Sequence, residues 1–288
     1  LMNKAGIRPR WIIEWYENQP TDKASHIGFS AHLPDSRVIA VRQYPLVPDW
    51  LSLYTTTAEA QAGAAPLENW VCGKVAANSM AAYDFVGTYR VVPALRYAHL
   101  YRESQPAPGT QLLLLLPYSP ADARAMLRYV MPSLRSFSAM FERVVIKPHP
   151  AVSRDTVQAY AARQWPDLDQ APLVWSDAPV AELLTNARIV VTTQSSAALE
   201  AVCRGKPVII VGRAVGLAIN VLEDVDCRLW RVVYDARNLH EGIKDWTPEH
   251  PLPLAERLAL GKLLREQHFE PVNEVTMRAF LPWPEKRP

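Results

Sequence analysis

The sequence predicts an α/β protein built on parallel sheets, in two halves. Three observations carry this. Between Gln111 and Val211, short apolar runs rich in β-branched residues alternate with helical stretches, the pattern of strand–helix–strand units. Two of those runs, Arg143-Val144-Val145-Ile146 and Arg188-Ile189-Val190-Val191-Thr192, are compact enough to be strands buried in a parallel sheet. A polar, proline-rich break, Ser104-Gln105-Pro106-Ala107-Pro108-Gly109, separates this region from a less regular series of the same kind upstream.

The upstream series opens on Trp11 to Tyr16, a strand rich in aromatic and β-branched residues. Pro20 follows, and Thr21 to Ala31 reads as a helix capped by Thr21 or Asp22. Arg37 to Val41, Asn69 to Gly73 and Arg90 to Pro93 read as further strands. No complete doubly wound sheet is visible here, so the expected opening strands are missing or lie upstream of Leu1. After the break, strand Gln111 to Leu116 leads into a helical stretch from about Ala121 to Met140, which Pro132 must kink or split. Strand Arg143 to Ile146 leads to a helix starting near Arg154. Leu173 to Trp175 is a short strand and Val180 to Thr185 a short helix. Strand Arg188 to Thr192 feeds a helix from Ser196 to Arg204 that Gly205 stops, and Lys206 to Val211 is the next strand. Leu254 to Gln267 reads as an amphipathic helix with Leu260, Leu263 and Leu264 on one face, weakened by Gly261. The expected domains are therefore 1–103, 110–245 and a helical tail over 246–288.

Bulk composition narrows the function classes. Apolar residues make up 49% of 288, enough for a sizeable core. A net charge of +2 with mixed signs argues against nucleic acid as a partner. Three dispersed cysteines, Cys72, Cys203 and Cys227, show no metal-ligand spacing and no disulfide framework, which fits a reducing cytoplasm. No apolar run approaches the roughly 20 residues that span a bilayer. The start at Leu1 leaves a fragment of a longer chain as one expectation, and the oligomeric state is not readable.

Two loops leave predicted strand ends at what would be one edge of the second sheet, where open α/β sheets bind ligands. Lys147-Pro148-His149-Pro150 offers a cation and an imidazole in a loop stiffened by two prolines. Thr193-Gln194-Ser195-Ser196 offers two hydroxyls and the free N–H groups of a starting helix, where an anion gains about 0.3–1 kcal/mol, up to roughly 2 when partly buried. Glu200, one turn into that helix, is placed to accept from two ribose hydroxyls. Together they suit a phosphate or diphosphate. For each feature a bland reading competes: a serine cap, a solvated glutamate, a strand-end histidine. In the first half, Glu17-Asn18-Gln19 is a polar cluster past the first strand, and Glu17 is a candidate general base, a role worth typically 10²–10⁴-fold in rate. Arg42 and Arg96 are candidate substrate-binding cations, with Tyr44, Tyr97 and His99 nearby in the chain.

Residues 143 to 212 resemble the nucleotide-binding domain of GT-B glycosyltransferases. The motifs Lys147-Pro148-His149-Pro150, Gln194 through Ala201 and Gly205-Lys206-Pro207-Val208 are similar to bacterial enzymes that use CMP-activated sugars, the Kdo transferases and several sialyltransferases. In that group a His-Pro and a Ser-Ser motif bind the CMP moiety, which implies that role for His149-Pro150 and Ser195-Ser196. Glu17 through Gln19, Pro66 through Gly73 and Ala94 through Leu100 resemble surface carbohydrate biosynthesis proteins. The acidic-acidic-Gly motif that carries the base in sialyltransferases has no match here.

The resemblance implies a GT-B-like protein, two Rossmann-like domains facing a cleft with the first incomplete. It implies a metal-independent transferase without a cofactor, moving Kdo or another nonulosonate from a CMP-sugar donor to a glycan or glycolipid acceptor. His149 would take part in catalysis with Glu17. Lys147, His149, Gln194, Ser195, Ser196 and Glu200 would hold the nucleotide; Asn18, Gln19, Arg42 and Arg96 would hold the substrate. Peripheral association with the inner face of the cytoplasmic membrane is a further expectation. The alternatives are a UDP-sugar transferase, an epimerase of similar architecture, or a non-catalytic domain of a polysaccharide assembly protein.

Overall fold

The computed structural model describes residues 5–47, 49–83, 87–102, 107–166, 173–212 and 219–280. The chain divides into two compact units, Leu1–Tyr101 with Arg265–Pro288, and Arg102–Leu264. The tail expected over 246–288 is thus not a domain of its own. Its first part belongs to the second unit and its last part returns to the first. Of the proline-rich break, Ser104 to Pro106 lies outside the described residues.

The first unit is built on a four-stranded parallel sheet with strands in simple sequence order. These are β1 (Trp11–Trp15), β2 (Arg37–Arg42), β3 (Glu68–Val71) and β4 (Thr88–Val91). Helix α1 (Pro20–His32) starts one residue earlier than expected. Gln19 is its N-cap, and Asp22, expected as a cap, instead sits in the first turn and accepts from the Gln19 N–H at 3.0 Å. Two short helices were not anticipated, α2 (Thr57–Gln61) and α3 (Lys74–Ala81). The strands are short and several core positions are aromatic, Tyr16, Tyr44 and Trp70 among them.

The second unit is a six-stranded parallel sheet. In chain order its elements are β5 (Gln111–Leu115), α4 (Pro120–Val130), α5 (Leu134–Met140), β6 (Arg143–Lys147), α6 (Arg154–Gln164) and β7 (Leu173–Trp175). Then come α7 (Val180–Asn186), β8 (Ala187–Thr192), α8 (Ser196–Cys203), β9 (Val208–Val211), β10 (Trp230–Val233) and α9 (Ala236–Asp245). Pro132 does split the helical stretch, through a 3-10 turn between α4 and α5. Lys147 ends a strand rather than opening a loop. The strand order is β10-β9-β8-β5-β6-β7. The chain runs outward from β5 to β7, then returns to the other side of β5 with β8. The reversal lies between β5 and β8, and open α/β sheets bind ligands beyond the carboxyl ends of the strands at such a point. Leu112, Leu113 and Leu114 are all buried, as a central strand covered on both faces requires.

Helix α10 (Leu254–His268) forms where expected, but it is only weakly amphipathic, and of the three leucines expected on its inner face only Leu264 is buried. Arg257, Gly261 and Leu264 are buried, whereas Leu263 is exposed. The reason is Gly261: a Cβ there would stand 2.6 Å from the Val202 carbonyl oxygen and 2.8 Å from that of Cys203. The helix packs by backbone contact on the end of α8, and only glycine permits that approach. Gly205, at φ +68°, ends the segment after α8 in the left-handed conformation expected of it. Helix α11 (Glu274–Phe280) brings Phe280 and Met277 against Ile39 and Trp70 of the first unit.

Candidate functional site

At the carboxyl edge of the second sheet, three loops stand side by side. Because β6 and β8 both pair with β5, the loops after them lie two strand spacings apart, about 9.5 Å. The loop after β5 lies between them. Its position is fixed from both sides: Thr192 Oγ1 donates to the Leu115 carbonyl at 3.1 Å, and the Leu116 N–H donates to the Lys147 carbonyl at 3.0 Å.

On one flank, Ser195 is the N-cap of α8, its Oγ accepting from the Ala197 N–H at 3.2 Å. Helix α8 is buried from Ala197 to Cys203. Burial weakens the solvent screening of its amino-terminal partial charge, so an anion there gains toward the upper end of the usual range, roughly 2 kcal/mol. Gln194 and Ser196 border that helix start, half-buried. Glu200, on the same helix, is buried.

On the other flank, the His149 ring is oriented by its own loop. Nδ1 accepts from the Ala151 N–H at 3.1 Å, which puts the proton of the neutral ring on Nε2. The imidazole is thereby set as a donor without needing a second charge. Lys147 is buried and its ammonium donates to the Asp177 carbonyl at 3.4 Å, on the β7 side of the edge. It adds positive potential there and braces the β7 loop.

Sequence reasoning passed over Tyr118, in the middle loop. It is 69% exposed, and its ring meets that of His149 edge-on, with centroids 6.2 Å apart. The signal was present: Pro117-Tyr118-Ser119-Pro120 is a proline-bracketed loop after a strand, as Pro148-His149-Pro150 is. The edge thus combines a helix start, an oriented imidazole donor and an exposed ring, a set of features suited to a phosphate-bearing, ring-containing ligand.

The first unit's carboxyl edge separates its candidates sharply. Arg42 is fully buried, and its guanidinium is spent on Asn69 Oδ1 (3.0 Å), Tyr44 Oη (3.2 Å), the Leu53 carbonyl (2.6 Å) and Thr55 Oγ1 (2.7 Å). It also lies 4.9 Å over the Tyr16 ring. It is a structural hub and cannot reach a substrate. Asn18 is likewise internal. It is buried at φ 61°, a left-handed conformation that asparagine tolerates, and its amide donates to the Ser52 (3.1 Å) and Tyr54 (2.9 Å) carbonyls. These two expectations are corrected for one reason: a polar side chain taken into a core must spend its hydrogen bonds there. Gln19, exposed, caps α1. Glu17 is half-buried, and its Oε1 accepts from the Trp15 indole N–H at 2.8 Å. Arg96 is exposed, in the 3-10 segment after β4.

Comparisons with known proteins bear on this geometry. Residues 119–219 match the family model for capsule polysaccharide biosynthesis proteins. That stretch begins beside Tyr118 and contains both His149 and the α8 amino terminus. No curated protein matches the chain. Solved structures do. MnaA of S. aureus in complex with UDP superposes at a TM-score of 0.61, with 12% identity over 96% of this chain and 75% of that one. UDP-GlcNAc 2-epimerase from Neisseria meningitidis bound to UDP-GlcNAc gives 0.56, with 11% identity over 93% and 74%. The glycotransferase of kitacinnamycin gives 0.56, with 14% identity over 94% and 74%. At these identities the likeness is one of fold, and the fold is a mixed α/β, GT-B-like one of parallel sheets. Among the described residues no group of three or more His, Cys, Asp or Glu side chains could hold a metal ion. No helix among them is long and apolar enough to cross a membrane.

Proposed function

We propose that this chain is a sugar-processing enzyme of surface polysaccharide synthesis that binds a nucleoside diphosphate sugar at the carboxyl edge of its second unit. One observation carries the reading. The oriented Nε2–H of His149 and the α8 amino terminus flank the same strand, β5, on one edge of one sheet. Two phosphates in series bridge that span more readily than one. The solved structures with UDP or UDP-GlcNAc support the same donor class. In this reading Ser195, Ser196 and Gln194 with the helix start receive the phosphates, Glu200 the ribose, and Tyr118 a face of the ligand. The CMP-sugar expectation has no comparable support.

The reaction class proposed is glycosyl transfer. Departing nucleotide gains negative charge, and fixed N–H donors aimed at it lower the barrier without reorganisation. Glu17 remains the candidate base, since Oε1 is held by the Trp15 indole and Oε2 is left to take a proton from an acceptor hydroxyl. A second reading, epimerisation of the donor, is favoured by the structure named above as a 2-epimerase.

Thermal unfolding with UDP, GDP and CMP tests the donor site. UDP is expected to raise the melting temperature most, a saturating ligand adding about 2.7 kcal/mol at 100 times Kd. His149→Ala is expected to weaken UDP about tenfold, the loss of one charge-assisted hydrogen bond. Absence of any nucleotide-dependent shift refutes the reading. Incubation with donor alone separates the reaction classes, because only an epimerase turns it over without an acceptor.

A further inference from the structure

The carboxyl edge of the first unit carries a second cluster. Trp15 ends β1 and is 46% exposed. The ring is not loose. Its N–H is held by Glu17 Oε1 at 2.8 Å, and the Tyr44 ring lies 6.0 Å away, tilted by 53°. Arg96 reaches over from the far side of the sheet, its Cζ 5.9 Å from the Trp15 ring centroid and 5.8 Å from that of Tyr97. Its guanidinium makes no hydrogen bond and no ion pair with any described residue. The contrast with Arg42, on the same edge, is informative: one guanidinium is saturated by the core and the other stands open.

We propose that Trp15, Arg96 and Glu17 form a binding site for an acidic sugar unit of a glycan. A pyranose carrying a carboxylate matches the cluster feature by feature. Its C–H face stacks on the indole, its carboxylate takes the two-pronged guanidinium, and a hydroxyl donates to the remaining oxygen of Glu17. A phosphate fits worse. The backbone N–H groups that would cradle one at the start of α1, those of Glu17 and Gln19, are already taken by Asp22 Oδ2 at 2.9 and 3.0 Å. A dianion would then meet Asp22 and Glu17 with Arg96 alone to balance them. The proposal deepens the glycan-building reading by naming the acceptor's chemistry, and rests on that reading for its purpose; its test does not.

Tryptophan fluorescence of the full chain is titrated with a glucuronyl-glucose disaccharide and with its neutral glucosyl-glucose counterpart. The acidic sugar is expected to bind about tenfold tighter, as one charge-assisted pair dictates. Arg96→Gln is expected to bring the two within about twofold of each other, with Arg96→Lys between, since an ammonium keeps the charge but loses the fork. Added salt weakens only the acidic sugar. Trp15→Leu weakens both. Equal binding of the two sugars, indifference to Arg96→Gln, or no saturable signal with either overturns the proposal. UDP binding is read separately on the same preparation. Acidic-sugar binding without a UDP shift sinks the donor reading and leaves this site standing; the reverse sinks this site alone.

Discussion

Glu14 shows how a single residue can couple the first unit to pH. It lies on the inward face of β1, opposite His26 on α1, with Oε1 and the His26 Nδ1 3.9 Å apart and neither hydrogen-bonded. Burial, and then the nearby Asp22 carboxylate, push its ionisation from 4.5 up to about 7. Burial also holds His26 below its ordinary value, partly offset by the Ala65 carbonyl. Folded Glu14 keeps a proton that the unfolded chain loses between pH 4.5 and about 7. Its contribution to stability is therefore full below that window, falls as pH rises through it, and is flat above. His26 runs the other way, losing stability as pH falls below 6.5. Glu14→Gln removes only the first dependence. Urea denaturation is expected to show the variant gaining on the wild type from pH 4.5 to 7 and no further; parallel curves would refute the assignment. The polar cluster after β1 was visible in the sequence, but its division of labour was not. Asn18 and Arg42 turned inward and Arg96 outward, and side-chain type alone cannot tell a core hydrogen-bond hub from a surface cation.

At the scale of elements, the α8–α10 contact decides which residues matter. Helix propensity alone predicts that Gly261→Ala stabilises by about 1 kcal/mol. The added Cβ, however, would meet two backbone carbonyl oxygens of α8 at 2.6 and 2.8 Å. Overpacking of that kind costs about 1–3 kcal/mol, and backbone cannot step aside as a side chain can. Net destabilisation is expected in chemical denaturation, and a more stable variant would show that α10 stands off from α8. The same contact explains why, of the leucines predicted to face inward, Leu264 is buried and Leu263 is exposed. Periodicity located the helix to within a residue, but Leu260, Leu263 and Leu264 were ranked by hydrophobicity, whereas the buried face is set by how closely two backbones approach.

For the molecule as a whole, two units imply separable responses. Hydrogen exchange with UDP present is expected to slow in peptides covering 116–119, 148–151 and 193–200, and to leave peptides of β1 and α1 unchanged. Such protection follows from ligand binding to the native state of one unit, which raises the cost of opening that unit locally. Protection confined to 11–32 would place the nucleotide on the wrong sheet.

Read in one dimension, the chain already yields the α/β class, strands β5 to β9 of the second unit to within a residue or two, the split at Pro132 and the two loops flanking the candidate nucleotide site, but not β10 (Trp230–Val233). These are local matters. Apolar runs, proline, glycine and helix caps act within a few residues, so their effects can be read in one dimension. Strand order was decided only in three dimensions, and with it the placement of Tyr118 between the His149 and Ser195 loops. So were the return of the C-terminal residues to the first unit, the burial of Arg42 and Asn18, and the open guanidinium of Arg96 over Trp15. Each depends on which distant segments pack together, because burial and hydrogen-bond saturation belong to the partners a side chain meets.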